Sequence, residues 1–314
     1  MSGATQQVRG KSAYGRHAAR SASPAVVAGA NWSWRDLLIA IGVVAALLWA
    51  YWHTLFRLWR EWENPNYSAG MLVPIAAIYL LSLERDALAR LRPRVAPAGL
   101  GLIALALLMR FEALRSLYES IDRASLVVMI AGVTLFLCGW RVFWSVRWLL
   151  VFLFLAMPLP GFIHNRIAGP LQDLSTGGTV FVLQTLGFDV DRQGHVLTLN
   201  GQQPVGIEEA CSGLRMLTAF VIVAAVMAFL IERPAWQRAT LVLSSIGVAI
   251  LCNLVRLCLT AVAFLYLPGG FAEQFVHDMA GMALMMPMAV GFLLLELWVL
   301  KQLSTPAAEK AASR

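Results

Sequence analysis

Three side chains in the second half of the chain supply the groups that acyl transfer requires. Cys211 stands immediately before a long apolar run, and Arg256 and His277 lie at the edges of the next two apolar segments. A thiolate is a nucleophile, a guanidinium is a permanent positive charge, and an imidazole exchanges protons near neutral pH. These groups suffice for acyl transfer through a thioester if the fold brings them together.

The sequence around Cys211 favours a reactive thiol. Cys211 lies just before a predicted helix with Ser212 as the expected N-cap, and the unpaired N–H groups of a first helical turn lower a thiol pKa. Those N–H groups and Arg256 can together hold the oxyanion of a tetrahedral intermediate. Arg215, one turn further on, is the alternative cation, and Glu209 and Asn253 are the expected supporting residues.

Each of the three residues also has a purely structural interpretation. A cysteine at a helix start often only packs, Arg256 also fits a membrane-surface anchor or a partner of Asn253, and His277 with Asp278 fits a helix cap. The remaining cysteines lie inside apolar runs and are interpreted as small buried hydrophobes: Cys138, Cys252 and Cys258. No spacing typical of metal ligands occurs, so we expect neither a metal nor a cofactor.

The composition identifies an integral membrane protein. Hydrophobic residues make up 59% of the 314 residues, charged residues only 14%, and the mean hydropathy is +0.68. A soluble domain carries about 25% charged residues, so this chain has too few to cover a water-facing surface. The net charge of +7 comes from basic residues between apolar segments rather than from one basic face, which argues against nucleic-acid binding.

Apolar runs and arginines predict a topology. A membrane-crossing helix needs about twenty apolar residues. The predicted spans are roughly 37–57, 67–83, 97–114, 124–139, 142–158, 213–231, 239–264 and 279–300. Basic residues cluster after every second span, at Arg85, Arg90, Arg92, Arg94, Arg141, Arg147, Arg233, Arg238, Lys301, Lys310 and Arg314. Placing these clusters and both termini in the cytoplasm obeys the positive-inside rule.

The expected fold class is therefore all-α, a polytopic membrane bundle of about eight transmembrane helices. Residues 171–188 are apolar but short, and we interpret them as an outer-surface or re-entrant helix. Residues 193–207 alternate like strands around Asn200-Gly201, which predicts a short outer-face hairpin. In this topology Cys211, Arg256 and His277 share the outer membrane level. The predicted domains are a disordered cytoplasmic tail at 1–34, a membrane domain at 35–303 and a cytoplasmic tail at 304–314.

The motifs resemble those of the exosortase/archaeosortase family. They are Ala-Cys-Ser-Gly-Leu-Arg at 210–215, Asn-Leu-Val-Arg at 253–256 and His-Asp-Met-Ala-Gly at 277–281. Two upstream landmarks are also similar, Asn-Pro-Asn-Tyr-Ser at 64–68 and Met-Pro-Leu-Pro at 157–160. The similarity covers roughly residues 37–300, nearly the whole predicted membrane domain.

The resemblance implies a cysteine transpeptidase of the cytoplasmic (inner) membrane with its active site at the outer face. Its substrates would be secreted proteins whose C-terminal tail has a short motif, often Pro-Glu-Pro in bacteria, one transmembrane helix and a basic end. Cys211 would be the nucleophile, Arg256 the oxyanion-stabilising or substrate-orienting residue, and His277 the acid/base. The implied partners are these substrates, the lipid bilayer and an unknown acceptor.

Two alternatives remain open at this point. Water in place of the acceptor would make the enzyme a hydrolase, and the acceptor leaves no signature in the sequence. The second alternative is a membrane transporter or an exopolysaccharide-export component without peptidase activity. Its marks are inverted repeats, or ionisable residues near the middle of paired broken helices, and neither pattern is evident in the sequence.

Overall fold

The computed structural model describes residues 34–91, 93–201, 205–206, 213–231 and 234–266, and residues 287, 290–292, 294–295 and 297–298 of the last apolar segment. Its helices are α1 (Trp34–Ala50), α2 (Trp52–Trp62), α3 (Leu72–Leu83), α4 (Arg85–Ala89), α5 (Ala98–Ser116), α6 (Glu119–Phe152), α7 (Gly161–Thr185), α8 (Leu214–Leu230) and α9 (Ala235–Tyr266), with 3₁₀ turns at Ser68–Met71 and Leu153–Ala156. Three short strands, β1 (Val190–Gln193), β2 (Val196–Leu199) and β3 (Val205–Gly206), lie between α7 and α8.

The helices turn large apolar faces outward. Ile78, Leu108 and Leu243 are all more than 60% exposed, and many similar side chains surround them. A soluble monomer rarely leaves so much contiguous apolar surface in water, whereas a bilayer accommodates it. Among the described residues, two helical segments are long and apolar enough to cross a membrane, Glu119–Ala156 and Ala235–Tyr266. The number rises to three if α1 and α2 together count as one bent span. The chain is a mostly helical membrane protein.

The first predicted span is not one straight helix. The chain bends by 68° between α1 and α2, at Tyr51. Tyr51 is fully buried, its hydroxyl lies 3.1 Å from Ser125 Oγ, and the Arg110 guanidinium stacks 4.3 Å from its ring. The α2 helix then continues to Trp62 with charged residues on one side and Leu58 buried on the other, which is the pattern of a helix lying at the membrane surface. The predicted span over 37–57 is therefore two helices that meet at Tyr51, and together they pass as one bent span.

Helix α6 consists of two arms that turn back on each other at Gly139. Glu61 is ion-paired to Arg123 in the first arm, while the adjacent Trp62 donates its indole N–H to the carbonyl oxygen of Ala156 after the second arm, 2.8 Å away. A continuous helix would separate Arg123 from Ala156 by about 50 Å. The break lies at Gly139, whose φ of 79° favours glycine and where a Cβ would overlap the carbonyl oxygen of Arg94. The break falls between the predicted spans 124–139 and 142–158.

The segment before the strands is a longer helix than predicted. Helix α7 begins at Gly161 and ends at Thr185, with Pro170 inside it, instead of running over 171–188. It packs along α9, because Ser175 contacts Asn253 and the positions of Leu183, Leu257 and Ala261 belong to one buried cluster. Helix α7 is not among the described helices that meet the length and apolarity of a membrane span.

The predicted hairpin is part of a three-stranded antiparallel sheet in the order β1-β2-β3. Asn200 and Gly201 both have positive φ, as the Asn-Gly turn signal predicts, and Asn200 also exchanges hydrogen bonds with Asp189. Leu197 and Leu199 of β2 are buried against α7 and α9. The sheet therefore covers the ends of these two helices.

Helices α8 and α9 form an antiparallel pair joined by a short turn. Met216 and Phe220 of α8 pack with Ala249 and Cys252 of α9, and Phe292 of the last apolar segment lies against the same cluster. Their bounds lie close to the predicted spans 213–231 and 239–264. The predicted tails at 1–34 and 304–314 fall outside the described residues except for Trp34.

Candidate active site

The N-terminal end of α8 is pressed against the middle of α9. Gly213 is the N-cap of α8 with φ of 88°, and its carbonyl accepts the first helical hydrogen bond from Leu217, at 2.8 Å. A Cβ at Gly213 would lie 2.8 Å from Asn253 Nδ2. Glycine is therefore required both by the left-handed backbone and by the close approach. The N-cap is Gly213 and not the predicted Ser212, because contact with Asn253 selects a turn that only glycine adopts easily.

Asn253 connects three helices through its side-chain amide. It is 1% exposed, and its Nδ2 donates a hydrogen bond to Ser175 Oγ of α7 at 3.0 Å. Its Oδ1 accepts a hydrogen bond from Arg256 Nη2 at 3.0 Å. A buried amide with both ends bonded has a single orientation, so Asn253 holds the guanidinium of Arg256 one turn further along α9.

Arg215 points to a different partner. Its Nη2 donates a hydrogen bond to Asn66 Oδ1 at 3.1 Å, and Asn66 in turn donates its backbone N–H to Asn64 Oδ1 at 2.9 Å. This second contact is the local turn that an asparagine side chain makes with the backbone two residues later. The first turn of α8 is therefore tied to the 64–67 loop through Arg215, and to α9 through Gly213.

The 64–68 landmark contacts α7 through an aromatic pair. The Tyr67 hydroxyl lies 3.0 Å from His164 Nδ1, and the two rings meet edge to face. At Gly70, a Cβ would lie 2.8 Å from both Ala156 O and Trp62 Nε1, so only glycine allows this packing. Both landmark loops therefore lie beside the start of α8, where Leu214 packs against Ala168 and Leu171 of α7.

An ion cluster borders this region. The Arg123 side chain, 8% exposed, is paired with Glu61 and Glu119, and Arg57 pairs with Glu119 at 3.4 Å. Burial raises the pKa of the Glu61 carboxyl above its ordinary value, because burial disfavours the charged form, while the guanidinium of Arg123 opposes this shift. The cluster joins the end of α2 to the start of α6.

A cavity of about 620 Å³ opens beside the ion cluster. Its wall comes from the end of α2, the turn between α5 and α6, and the 158–162 loop, and includes Arg60, Asn64, Tyr118 and Phe162. A second, much smaller cavity shares Tyr67, Pro158 and Leu159 with it and continues to Leu214 and Thr218 of α8. The two cavities therefore share one wall, and the smaller of them reaches the start of α8.

The structure brings two of the predicted site residues into contact and places a third on the neighbouring helix. Arg256 and Asn253 are hydrogen-bonded on α9, and Arg215 lies on the first turn of α8. The other three predicted site residues, Cys211, Glu209 and His277, lie outside the described residues. No group of histidine, cysteine and acidic residues fit to hold a metal occurs in the part of the chain that the structure describes.

Sequence reasoning missed two residues of this region. Ser175 lies within the apolar half of α7 and makes its contact to a residue 78 positions away, so no local pattern marks it. His164 belongs to none of the motifs in the sequence, yet it is buried against Tyr67. Its position one turn after Met-Pro-Leu-Pro was the available signal, since a polar residue beside a landmark loop often supports it.

Comparison with known proteins gives one match. The model of the transmembrane exosortase family matches residues 59–295, which is about three quarters of the chain. No curated protein and no solved structure matches significantly. The matched region includes both landmark loops, all six predicted site residues and the ion cluster except Arg57.

Proposed function

Since the chain belongs to the transmembrane exosortase family, we propose that it is a membrane cysteine transpeptidase that cleaves the C-terminal sorting tails of secreted proteins. Cys211 attacks the scissile carbonyl, Arg256 stabilises the oxyanion or orients the substrate, and His277 exchanges the protons. The products are a thioester of the secreted protein and a released tail. An acceptor nucleophile then takes the acyl group, and water in that role would give simple hydrolysis.

The main structural support for the proposal is the contact between Gly213 and Asn253. Two residues of fully extended chain span at most about 7 Å, so covalent geometry alone keeps the Cα of Cys211 within that distance of Gly213. Gly213 touches Asn253, and Asn253 binds Arg256. A residue expected to be the nucleophile and one expected to bind the oxyanion are thus attached to two segments that are in contact.

The proposed steps balance as in other cysteine acyl transfers. The imidazole of His277 removes the thiol proton, the sulfur bonds to the carbonyl carbon, and the resulting oxyanion faces Arg256 and the first N–H groups of α8. Collapse of this intermediate breaks the C–N bond, and the imidazolium gives its proton to the leaving amine. In the second half the acceptor loses a proton to His277 as it attacks the thioester, which restores the thiol.

We place this site at the outer face of the cytoplasmic membrane, in a bundle of eight spans. Helix α9 has 32 residues and is about 48 Å long, well beyond a ~30 Å bilayer core. If Arg238 marks the cytoplasmic boundary, Arg256 lies about 27 Å further along the helix, at the outer boundary. The chain reversal at Gly139 supports two separate spans in the α6 region.

Replacement of each cysteine tests the proposed nucleophile. Cys211→Ala and Cys211→Ser should abolish cleavage of a model sorting tail while protein abundance stays near normal, because only the sulfur at this position forms the thioester. Cys138→Ala, Cys252→Ala and Cys258→Ala are the matched controls and should retain cleavage. Substantial tail processing by Cys211→Ala in membranes would remove the cysteine mechanism.

A further inference from the structure

The cavity of about 620 Å³ beside the ion cluster is large enough to hold part of a peptide. Binding pockets for ligands typically have volumes of roughly 300–1,000 Å³. Tyr118 and Phe162 on its wall are 43% and 61% exposed, so they offer aromatic surface to an occupant. Asn64 on the same wall adds a side-chain amide, which suits the N–H and C=O groups of an extended chain.

The cavity shares a wall with a smaller cavity that reaches the start of α8. Tyr67, Pro158 and Leu159 line both this cavity and the smaller one that reaches Leu214. Leu214 follows Gly213, the residue in contact with Asn253. An extended chain lying in the large cavity would therefore point along the shared wall toward the start of α8.

Among the described charges around the cavity, the guanidinium of Arg60 has no counter-ion. Arg57 and Arg123 are paired with Glu61 and Glu119, so these four charges cancel. Arg60 stacks 5.2 Å from the ring of Phe56 and makes no ion pair with any residue that the structure describes. Arg60 is exposed on the cavity wall, and a guanidinium there favours an anionic partner.

We infer that this cavity is the substrate-recognition subsite, which binds an extended peptide segment next to the scissile bond with an acidic side chain against Arg60. This inference rests on the proposed function, because it takes the tail-bearing substrate as the occupant. Arg60 is then a specificity-determining residue rather than a catalytic one. A lipid headgroup phosphate is the competing occupant of the same guanidinium.

Photo-crosslinking in the full-length protein tests the occupant. The crosslinking amino acid benzoylphenylalanine replaces Phe162 in the Cys211→Ala protein, which is reconstituted in lipid nanodiscs. Because this protein lacks the proposed nucleophile, it binds the substrate without cleaving it. The probe is a model sorting tail with an extended segment carrying a central glutamate, an apolar helix and a basic end. Benzoylphenylalanine in place of Phe181, which is also well exposed on α7 but lies outside the cavity, is the control. We expect a crosslink from position 162 to the extended segment and none from position 181.

Charge reversal then tests the role of Arg60. Arg60→Glu should lower the crosslinking yield at least about fivefold, the scale of replacing an attractive charge pair by a repulsive one, and a probe with a central lysine should restore it. Arg166→Glu makes the same charge change on α7 at a residue that does not line the cavity, and it should leave the yield unchanged. If the protein with unchanged Arg60, the Arg60→Glu protein and the Arg166→Glu protein gave the same crosslinking yield, the proposed role of Arg60 would be overturned.

The outcome also separates this inference from the proposed function. Cleavage of the tail by the wild-type protein without any crosslink from position 162 would overturn the subsite and leave the transpeptidase intact. A crosslink from position 162 only to lipid would likewise overturn it in favour of a headgroup site. Failure of the wild-type protein to cleave a tail that does crosslink would contradict the proposed function while the subsite stands.

Discussion

At the scale of single residues, the region is organised around a buried amide. Asn253 is bonded on one side to Ser175 and on the other to Arg256, and it is touched by Gly213. A guanidinium held in this way needs little reorganisation when charge develops beside it, which is the main advantage of a preorganised oxyanion site. Arg215 is bonded instead to the 64–67 loop, which suits a role in holding that loop.

The two arginines therefore differ in their expected response to lysine. Arg256→Lys keeps the positive charge but loses the planar fork that bonds Asn253 and, in the proposed mechanism, the oxyanion, so tail cleavage should fall at least ~10²-fold. Arg215→Lys should have a milder effect. Cleavage rates measured with one model tail in nanodiscs decide the ranking, and the reverse order would assign the oxyanion role to Arg215.

At the scale of elements, close contacts between backbones set the positions of the helices. Gly213 lets the start of α8 approach α9, and Gly139 lets α6 reverse beside Arg94. Both glycines have positive φ, so each combines a backbone requirement with a steric one.

Gly213→Ala should destabilise the protein and impair cleavage. The strained backbone and the overlap with the Asn253 amide should together cost about 2–4 kcal/mol, and Asn253 would shift away from Arg256. Gly247→Ala on α9 is the control, since a Cβ there meets nothing within 4 Å. Thermal unfolding in detergent measures the difference. If Gly213→Ala unfolded at the same temperature as Gly247→Ala and cleaved normally, the contact would have no role.

The sequence predicted those elements whose signals are local. The Asn200-Gly201 turn, the bounds of α8 and α9 and the break between residues 139 and 142 all follow from turn residues and apolar runs. The bend at Tyr51 could not be predicted, because it depends on a hydrogen bond to Ser125 and a stacked Arg110. The N-cap at Gly213 likewise depends on Asn253, forty residues further along the chain.

At the scale of the whole molecule, one group of contacts gathers the ends of several helices. Three long-range contacts join the 62–67 region to the turn before α7, the start of α7 and the start of α8: Trp62 with Ala156, Tyr67 with His164, and Asn66 with Arg215. Arg215 is on the same helical turn as Gly213, which touches Asn253. The basic clusters that begin at Arg85, Arg141 and Arg233 lie at the other ends of the predicted spans. This polarity is what a site on one membrane face requires.

Reporter fusions test the assignment of sides. A reporter after Asp191 should be outside, and reporters after Arg92 or Arg233 should be inside, because arginine-rich loops are retained in the cytoplasm. Paired alkaline phosphatase and fluorescent-protein fusions provide the measurement. A cytoplasmic signal at Asp191 would mean that the 171–188 segment crosses the membrane, and the shared outer-face site would be lost.

The central claim is a thioester on Cys211, and intact-mass measurement of the protein detects it directly. The purified enzyme is mixed with a model sorting tail, quenched in acid and weighed with and without hydroxylamine. The proposed mechanism predicts a mass increase equal to the mass of the substrate portion that precedes the scissile bond. This adduct should lie on Cys211, be removed by hydroxylamine and be absent from the Cys211→Ala protein. Cleavage of the tail with no hydroxylamine-sensitive adduct at any time point, or with an adduct on another residue, would contradict it.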